Sequence, residues 1–158
     1  MSPTPEPTPD RLRTIPSRLL AGVSVVADRL VSEPLAAEGA RRSHFAVLVA
    51  LAEAGAASQA DLSRRTGIFR SDMVAVVNEL ADAGHIRREP DPADRRRNVI
   101  TLTPAGRRRL EHLDTLVADA QRELLAPLAP AEQDELTRLL TALIVHHQPP
   151  HPRPQDAQ

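Results

Sequence analysis

The residues with the clearest chemical potential are a run of arginines in one short segment. Asp94 is followed directly by Arg95, Arg96 and Arg97, between two short apolar stretches. The planar guanidinium group suits recognition of phosphate, because its N–H donors form a rigid fork. This run therefore points to a phosphate-bearing partner, unless it is simply the solvated tip of a turn, as many charge clusters are.

The distribution of charge along the chain favours the phosphate interpretation. The 158 residues include 20 arginines, no lysine and 21 acidic residues, for a net charge of -1. Residues 61–110 carry eleven arginines and seven acidic residues, a net +4, whereas residues 111–158 carry three and eight, a net -5; residues 1–60 balance. A nucleic acid would be attracted to the first of these segments and repelled by the second.

Several classes of chemistry lack the residues they need. The chain has no cysteine, which excludes disulfides, a thiolate nucleophile and cysteine-ligated zinc. It has no lysine for a phosphate-binding loop or a Schiff base, and it shows neither Gly-x-Ser-x-Gly nor His-Glu-x-x-His, so a small hydrolase is disfavoured and no enzyme is predicted. Phe45 and Phe69 alone make a poor stacking platform for single strands. Without an apolar run of 18 residues, the sequence predicts a cytoplasmic bacterial protein.

The chain is predicted to be mainly helical. Proline-rich tails are expected to be disordered over 1–10 and 148–158, which leaves 11–147 to fold. Apolar spacing and cap signals such as Ser58–Asp61 and Thr103–Pro104 define the elements. They predict a first helix over 12–30 that ends near Pro34, helices over 41–54, 58–66, 70–83, from 104 onward and 130–147, and strands over 86–89 and 98–102.

Two short helices joined at Gly67 and followed by a basic hairpin are the parts of a winged helix-turn-helix. The helices outside this module carry apolar faces that it is too small to cover. One of these faces is a coiled-coil-like stripe formed by Leu110, Leu113, Val117, Ala120 and Leu124. Pairing with a second copy of the chain is therefore expected to cover the faces.

The sequence over residues 41–110 resembles the MarR family of bacterial transcriptional regulators. The resemblance rests on Ser58-Gln59-Ala60-Asp61-Leu62-Ser63, on Leu80 and Gly84, on Arg88, and on Asp94-Arg95-Arg96 followed by Val99, Leu102-Thr103 and Gly106. It implies a homodimer, with helices in 11–34 and 104–147 forming the interface and a winged helix-turn-helix over 41–103. It also implies a repressor-type regulator that binds a pseudo-palindromic site on double-stranded DNA.

The resemblance further implies which residues meet DNA. The helix over 70–83 would enter the major groove, with contacts from Arg70, Ser71, Asp72, Ala75 and Asn78. Arg96 would enter the minor groove, oriented by Asp94 and flanked by Arg95 and Arg97 on phosphates; Ser58, Arg64 and Arg65 would also meet phosphates. Two alternatives stay open: Asp72 caps its helix instead of accepting from cytosine, and Arg64 and Arg65 are only solvated surface.

An effector is also implied by the resemblance, commonly an aromatic carboxylate or phenolic acid, while no other cofactor is expected. Arg18 and His44 are the candidate anion-binding residues, unless Arg18 forms an intrahelical pair and His44 a partly buried cap. His112 and His146 are candidates for a regulatory zinc site. His147 and His151 lie four apart, but Pro149 and Pro150 break any helix between them. A winged-helix module that binds protein instead of DNA is the remaining alternative.

Overall fold

The computed structural model describes residues 9–95 and 98–148. The chain divides into two compact units, with the boundary between Leu124 and Leu125. The expected disordered tails lie almost entirely outside the described residues, and so do Arg96 and Arg97. Among the residues described, no helix combines the length and apolar character that spanning a bilayer requires.

Two helices stand where a single N-terminal helix was predicted, α1 (Asp10–Arg13) and α2 (Pro16–Ala37). Pro16 begins α2 because a proline fits the first helical turn, where its missing N–H has no partner to lose. The prediction that the helix ends near Pro34 was wrong, because α2 continues through this residue. Leu35 is fully buried, and its carbonyl accepts a hydrogen bond from the Ala40 N–H at 2.8 Å. Packing of this last turn offsets the hydrogen bond that Pro34 cannot make.

The helix-turn-helix elements agree with the sequence prediction: α3 (Arg42–Ala54), α4 (Gln59–Thr66) and α5 (Arg70–Asp82). A reciprocal capping box begins α4. The Asp61 N–H donates to the Ser58 hydroxyl at 3.1 Å, and the Ser58 N–H donates to the Asp61 carboxylate at 3.3 Å. Gly67 ends α4 with φ 72°, a left-handed conformation that residues with a side chain adopt only at a cost.

The predicted hairpin is confirmed as β1 (Ile86–Pro90) and β2 (Asn98–Leu102), which pair antiparallel. Ile86 lies opposite Leu102 and Pro90 opposite Asn98, so the connecting loop lies at the Pro90 end. Ile100 also exchanges two backbone hydrogen bonds with Ala57, at 2.8 and 3.1 Å. Because Ile86 and Ile100 are buried, the base of the hairpin is anchored in the core.

One apolar core joins these elements to α6 (Pro104–Leu125). Its fully buried side chains include Leu35, Leu48, Leu62, Met73, Val47, Val77, Ile100 and Leu113. The structure differs here from the sequence prediction. Leu110, Leu113 and Ala120 of α6 are buried within their own chain, so this part of the stripe needs no second copy to cover it.

Apolar side chains on α2 do remain exposed. Leu19, Val23 and Val26 are 52%, 53% and 42% exposed and recur at helical spacing. The second unit consists mainly of α7 (Pro130–His147), which agrees with the predicted helix and exposes its own apolar residues Leu139, Leu143, Ile144 and Val145. Exposed rows of this kind are typical of surfaces that pair with another chain.

Candidate nucleic-acid interface

Helix α5 has one face in the core and another in solvent. Met73, Val76, Val77 and Leu80 are buried, which fixes the rotation of the helix about its axis. The predicted major-groove residues Arg70, Ser71, Asp72, Ala75 and Asn78 are all exposed. Within the described residues, the Arg70 side chain makes no hydrogen bond or ion pair, so its five N–H donors are available to a partner.

Asn78 is linked to the hairpin by a side-chain hydrogen bond. The guanidinium of Arg88, on β1, donates to the Asn78 side-chain carbonyl. An asparagine that recognises adenine uses both its carbonyl and its amide N–H groups. The bond from Arg88 uses one of the two lone pairs of the Asn78 carbonyl oxygen and leaves the amide N–H groups free to donate. It also connects α5 directly to the wing.

Asp72 lies in the first turn of α5, where a carboxylate interacts favourably with the helix dipole. The N-cap residue is Phe69, and no side chain caps this helix. Asp72 accepts instead from the Ser71 hydroxyl at 3.4 Å. The capping interpretation of Asp72 therefore has no hydrogen bond to support it in this part of the chain.

The predicted phosphate contacts around α4 fall into two groups. The Ser58 hydroxyl donates to Asp61 at 2.7 Å, which lowers the pKa of that carboxyl, and Arg64 forms an ion pair with the same Asp61. Arg65 is exposed and, within the described residues, has no side-chain partner. The charge of Arg65 contributes with that of Arg64 to the lowered pKa of Asp61, but in this part of the chain the Arg65 guanidinium keeps its N–H donors free of protein partners.

The hairpin tip is described as far as Arg95. Asp94 is half-buried and Arg95 is exposed, so the two residues present a carboxylate and a guanidinium at the end of the wing. Arg96 and Arg97 lie outside the described residues, and their predicted roles stay predictions. Arg70, Arg65 and Arg95 place exposed positive charge on α5, α4 and the wing.

His44 caps the start of α3, as one of its two predicted interpretations held, and it also ties α5 to α3, a contact that the sequence did not indicate. His44 is 8% exposed, and its Nδ1 accepts from the Arg41 backbone N–H at 3.1 Å. The neutral ring therefore carries its proton on Nε2, which lies 2.7 Å from the Glu79 carboxylate and donates to it. The Arg41 guanidinium donates to the same Glu79 oxygen at 2.6 Å. These contacts fix the C-terminal half of α5 against α3.

Burial lowers the pKa of His44, and the charges of Arg41 and Arg109 act in the same direction, against the hydrogen bond to Glu79. The hydrogen bonds that Glu79 accepts from Arg41 and His44 in turn lower the pKa of the Glu79 carboxyl. Protonation of His44 would place a proton on Nδ1 and remove the acceptor for the Arg41 N–H. The neutral ring is therefore the form that suits the fold.

We expect acid to destabilise the protein through His44. The folded state binds this proton less readily than the unfolded state, so the contribution is complete above pH 6.5, the ordinary histidine value, and decreases as the pH falls below it. Urea unfolding at pH 7.5 and 5.5 would measure the loss. His44→Gln keeps an amide N–H for Glu79 but cannot titrate, so its loss should be smaller. His85→Gln is the companion variant, because burial also lowers the pKa of His85. If wild type and His44→Gln lose the same unfolding free energy between pH 7.5 and 5.5, the loss does not come from His44.

The two predicted effector residues do not share a cavity. His44 lines a cavity of about 120 Å³ together with Glu79, His85 and Arg109. Arg18 lines a separate, open groove at the start of α2. Arg109 brings a positive charge to the His44 cavity and Glu79 a negative one, and a typical drug-sized site is several times larger.

The two zinc candidates lie in different units of the chain. His112, on α6, places its Nε2 3.2 Å from the Glu38 carboxylate, which Arg109 also approaches at 3.6 Å. His146, on α7, packs its ring against His147 at 4.8 Å. Over 9–95 and 98–148, no group of three or more histidine, cysteine or acidic side chains is arranged to hold a metal ion.

Comparison with known proteins agrees with this architecture. The model of the MarR family matches residues 39–97. A transcriptional regulatory protein of Thauera aromatica, named for the hcr operon, is 33% identical over 106 residues, which cover 67% of this chain and 64% of that protein. An HTH-type transcriptional repressor of Mycobacterium tuberculosis is 30% identical over 125 residues, which cover 79% of this chain and 90% of the repressor. The chain thus spans just under two thirds of the first relative and most of the second.

Solved structures show the same fold. BpsR of Bordetella bronchiseptica, whose DNA binding is regulated by 6-hydroxynicotinic acid, aligns with a TM-score of 0.76 at 26% identity, over 86% of this chain and 97% of its own. A MarR variant of E. coli complexed with operator DNA aligns with a TM-score of 0.73 at 26% identity, over 87% and 99%. Together with the family model and the repressor matched over nine tenths of its length, these likenesses show that the chain belongs to the MarR family of transcriptional regulators.

Proposed function

We propose that this protein is a homodimeric regulator that binds a pseudo-palindromic site on double-stranded DNA and represses transcription. The observation that carries the proposal is a set of exposed arginines on three neighbouring elements that form no side-chain hydrogen bond or ion pair with any other described residue: Arg65 on α4, Arg70 on α5 and Arg95 on the hairpin. Helix α5 is held near its C-terminal end, by Glu79 to α3 and by Asn78 to β1. In this proposal the protein acts in the bacterial cytoplasm and performs no catalysis.

The proposed dimer uses the helices outside the winged module. The segments 11–34 and 104–147 keep this assignment, with α2 extended to Ala37. The exposed apolar rows on α2 and α7 support it, because a second copy would remove them from water. Sedimentation velocity would report a mass twice that of the chain, and a monomer at micromolar concentration would contradict the dimer.

The DNA-binding proposal is tested by selecting duplexes from a random-sequence pool with the full chain. The selected duplex should bind with an affinity that falls steeply between about 50 and 200 mM salt, because each neutralised phosphate releases counterions. The selected sequence should contain two related half-sites. A pool that yields no enriched duplex, or binding without salt dependence, would favour the protein-interaction alternative.

We further propose that a small aromatic acid weakens DNA binding. The support is the likeness to BpsR and the cavity beside His44, His85 and Arg109. Such a ligand acts only through a difference in affinity between DNA-competent and incompetent dimers. Titrating the selected duplex in the presence of phenolic acids, and separately of zinc, would show which class weakens binding. No effect from any phenolic acid would contradict this proposal.

A further inference from the structure

Two apolar side chains lie exposed on the surface that carries the candidate DNA contacts. Phe69 is 78% exposed and Val74 is 49% exposed. The protein has only two phenylalanines, and the other, Phe45, packs against the core. Phe69 also occupies the N-cap of α5 without capping it. Serine, threonine, aspartate or asparagine would satisfy a helix N–H there, so the fold gains nothing evident from phenylalanine.

Val74 lies among the polar candidates on α5. It follows Ser71 by three residues and precedes Asn78 by four, so the three side chains share a face of the helix. Phe69 directly precedes Arg70 at the start of the same helix. A helix that inserts this face into the major groove would carry an apolar group at its N-terminus and another one turn further on.

The major groove offers one apolar group for such side chains to meet. Phosphates and sugars are polar, and among the bases only thymine presents a methyl group at this edge. Asn78 can recognise adenine only while it shares its side-chain carbonyl oxygen with Arg88, which already uses one of the two lone pairs. The exposed apolar groups of the face add a contact with thymine that Asn78 cannot make.

We propose that Phe69 and Val74 contact the 5-methyl groups of thymines in the major groove and thereby determine the base preference at those positions. This inference rests on the proposed function, since it requires α5 to enter DNA. Burying one methyl group corresponds to about a fourfold change in affinity, and two symmetric half-sites double this effect in free energy, to about fifteenfold.

The test replaces thymine by deoxyuridine, which removes only the methyl group and keeps Watson–Crick pairing. Each thymine of the selected duplex is replaced in turn, at equivalent positions of both half-sites, and affinity is measured for the full-length protein. We expect at least one position for Val74 and one for Phe69 at which wild type weakens by about fifteenfold. Val74→Ala and Phe69→Ala should each become insensitive, within about twofold, at their own position.

The control variant is Ser71→Ala, which removes a polar group from the same face. Ser71→Ala should weaken binding to the thymine duplex and to the uracil-substituted duplex by the same factor. The ratio of the two affinities should therefore stay that of wild type. Val74→Ala should leave the protein folded, because alanine is a stronger helix former than valine at an exposed position. Phe69→Ser should unfold at a higher temperature than wild type, since serine can cap α5.

The experiment distinguishes failure of this inference from failure of the proposed function. A selected duplex that binds with the expected salt dependence but tolerates every uracil within about twofold overturns this inference alone. Equal uracil sensitivity in wild type and both alanine variants also overturns it. If no duplex is enriched from the pool, the proposed function and this inference fall together, and the exposed apolar pair would then be a surface for a protein partner.

Discussion

Replacing Gly106 with alanine is expected to destabilise the protein by about 3 kcal/mol. A Cβ at this position would lie 1.9 Å from the His85 carbonyl oxygen and 2.8 Å from Leu102 Cδ1. The carbonyl is backbone, and it also accepts from the Thr103 N–H at 3.1 Å and the Thr103 hydroxyl at 3.0 Å. It cannot move away without breaking the junction between the wing and α6.

The measurement is the free energy of unfolding in urea, with Gly22→Ala as the matched control. Gly22 lies inside α2, and an added Cβ there meets nothing within 4 Å. Alanine at that position should stabilise the helix by about 0.5–1 kcal/mol, because glycine loses more backbone entropy on folding. Replacing glycine with alanine should therefore lower the free energy of unfolding at position 106 and raise it at position 22. A Gly106→Ala protein as stable as wild type would contradict the close approach of α6 to the hairpin.

Replacing Arg96 with alanine is expected to lower affinity for the selected duplex about 100-fold and to reduce the salt slope by about two. Two wings act in each proposed dimer, so every effect of one arginine counts twice. The register of the hairpin places the loop at its Pro90 end, and Arg95 is exposed there. A guanidinium at such a tip can enter a narrow minor groove, where the negative potential is concentrated.

Arg138→Ala is the control for this experiment, because it removes the same charge from α7. Arg138 forms two hydrogen bonds with the Glu135 carboxylate, at 2.6 and 2.7 Å, so its charge is already paired. Its removal should leave both the affinity and the salt slope nearly unchanged. If Arg96→Ala and Arg138→Ala change binding equally, the effect is one of net charge, and the proposed role of the wing is wrong.

Local signals in the sequence were sufficient for most of the helices and the hairpin. The Ser58–Asp61 capping box and the left-handed Gly67 bound α4, and both lie within a few residues of the helix they define. The prediction about Pro34 was wrong because its local signal competes with a tertiary one. The burial of Leu35 keeps the last turn of α2 helical, and no neighbouring residue indicates that burial.

The candidate site shows the same distinction. The Arg95–Arg97 run and the outward position of Arg70 follow from residue type and helical period. The link from His44 to Glu79 joins residues 35 apart, and the bond from Arg88 to Asn78 joins residues 10 apart across two elements. One signal for Phe69 was present in the sequence, since a phenylalanine stands where a helix N-cap is expected. Its exposure, however, depends on how α5 packs.

The sequence by itself determined the order of the elements, the concentration of positive charge over 61–110 and the resemblance to MarR regulators. Caps, helical period and charge are properties of neighbouring residues, so the linear chain contains them in full. Only the tertiary structure decided which arginines are already paired, that Leu110 and Leu113 lie in their own chain's core, and that His44 contacts Glu79. Those outcomes depend on contacts between distant segments, which form only when the chain packs around a common core.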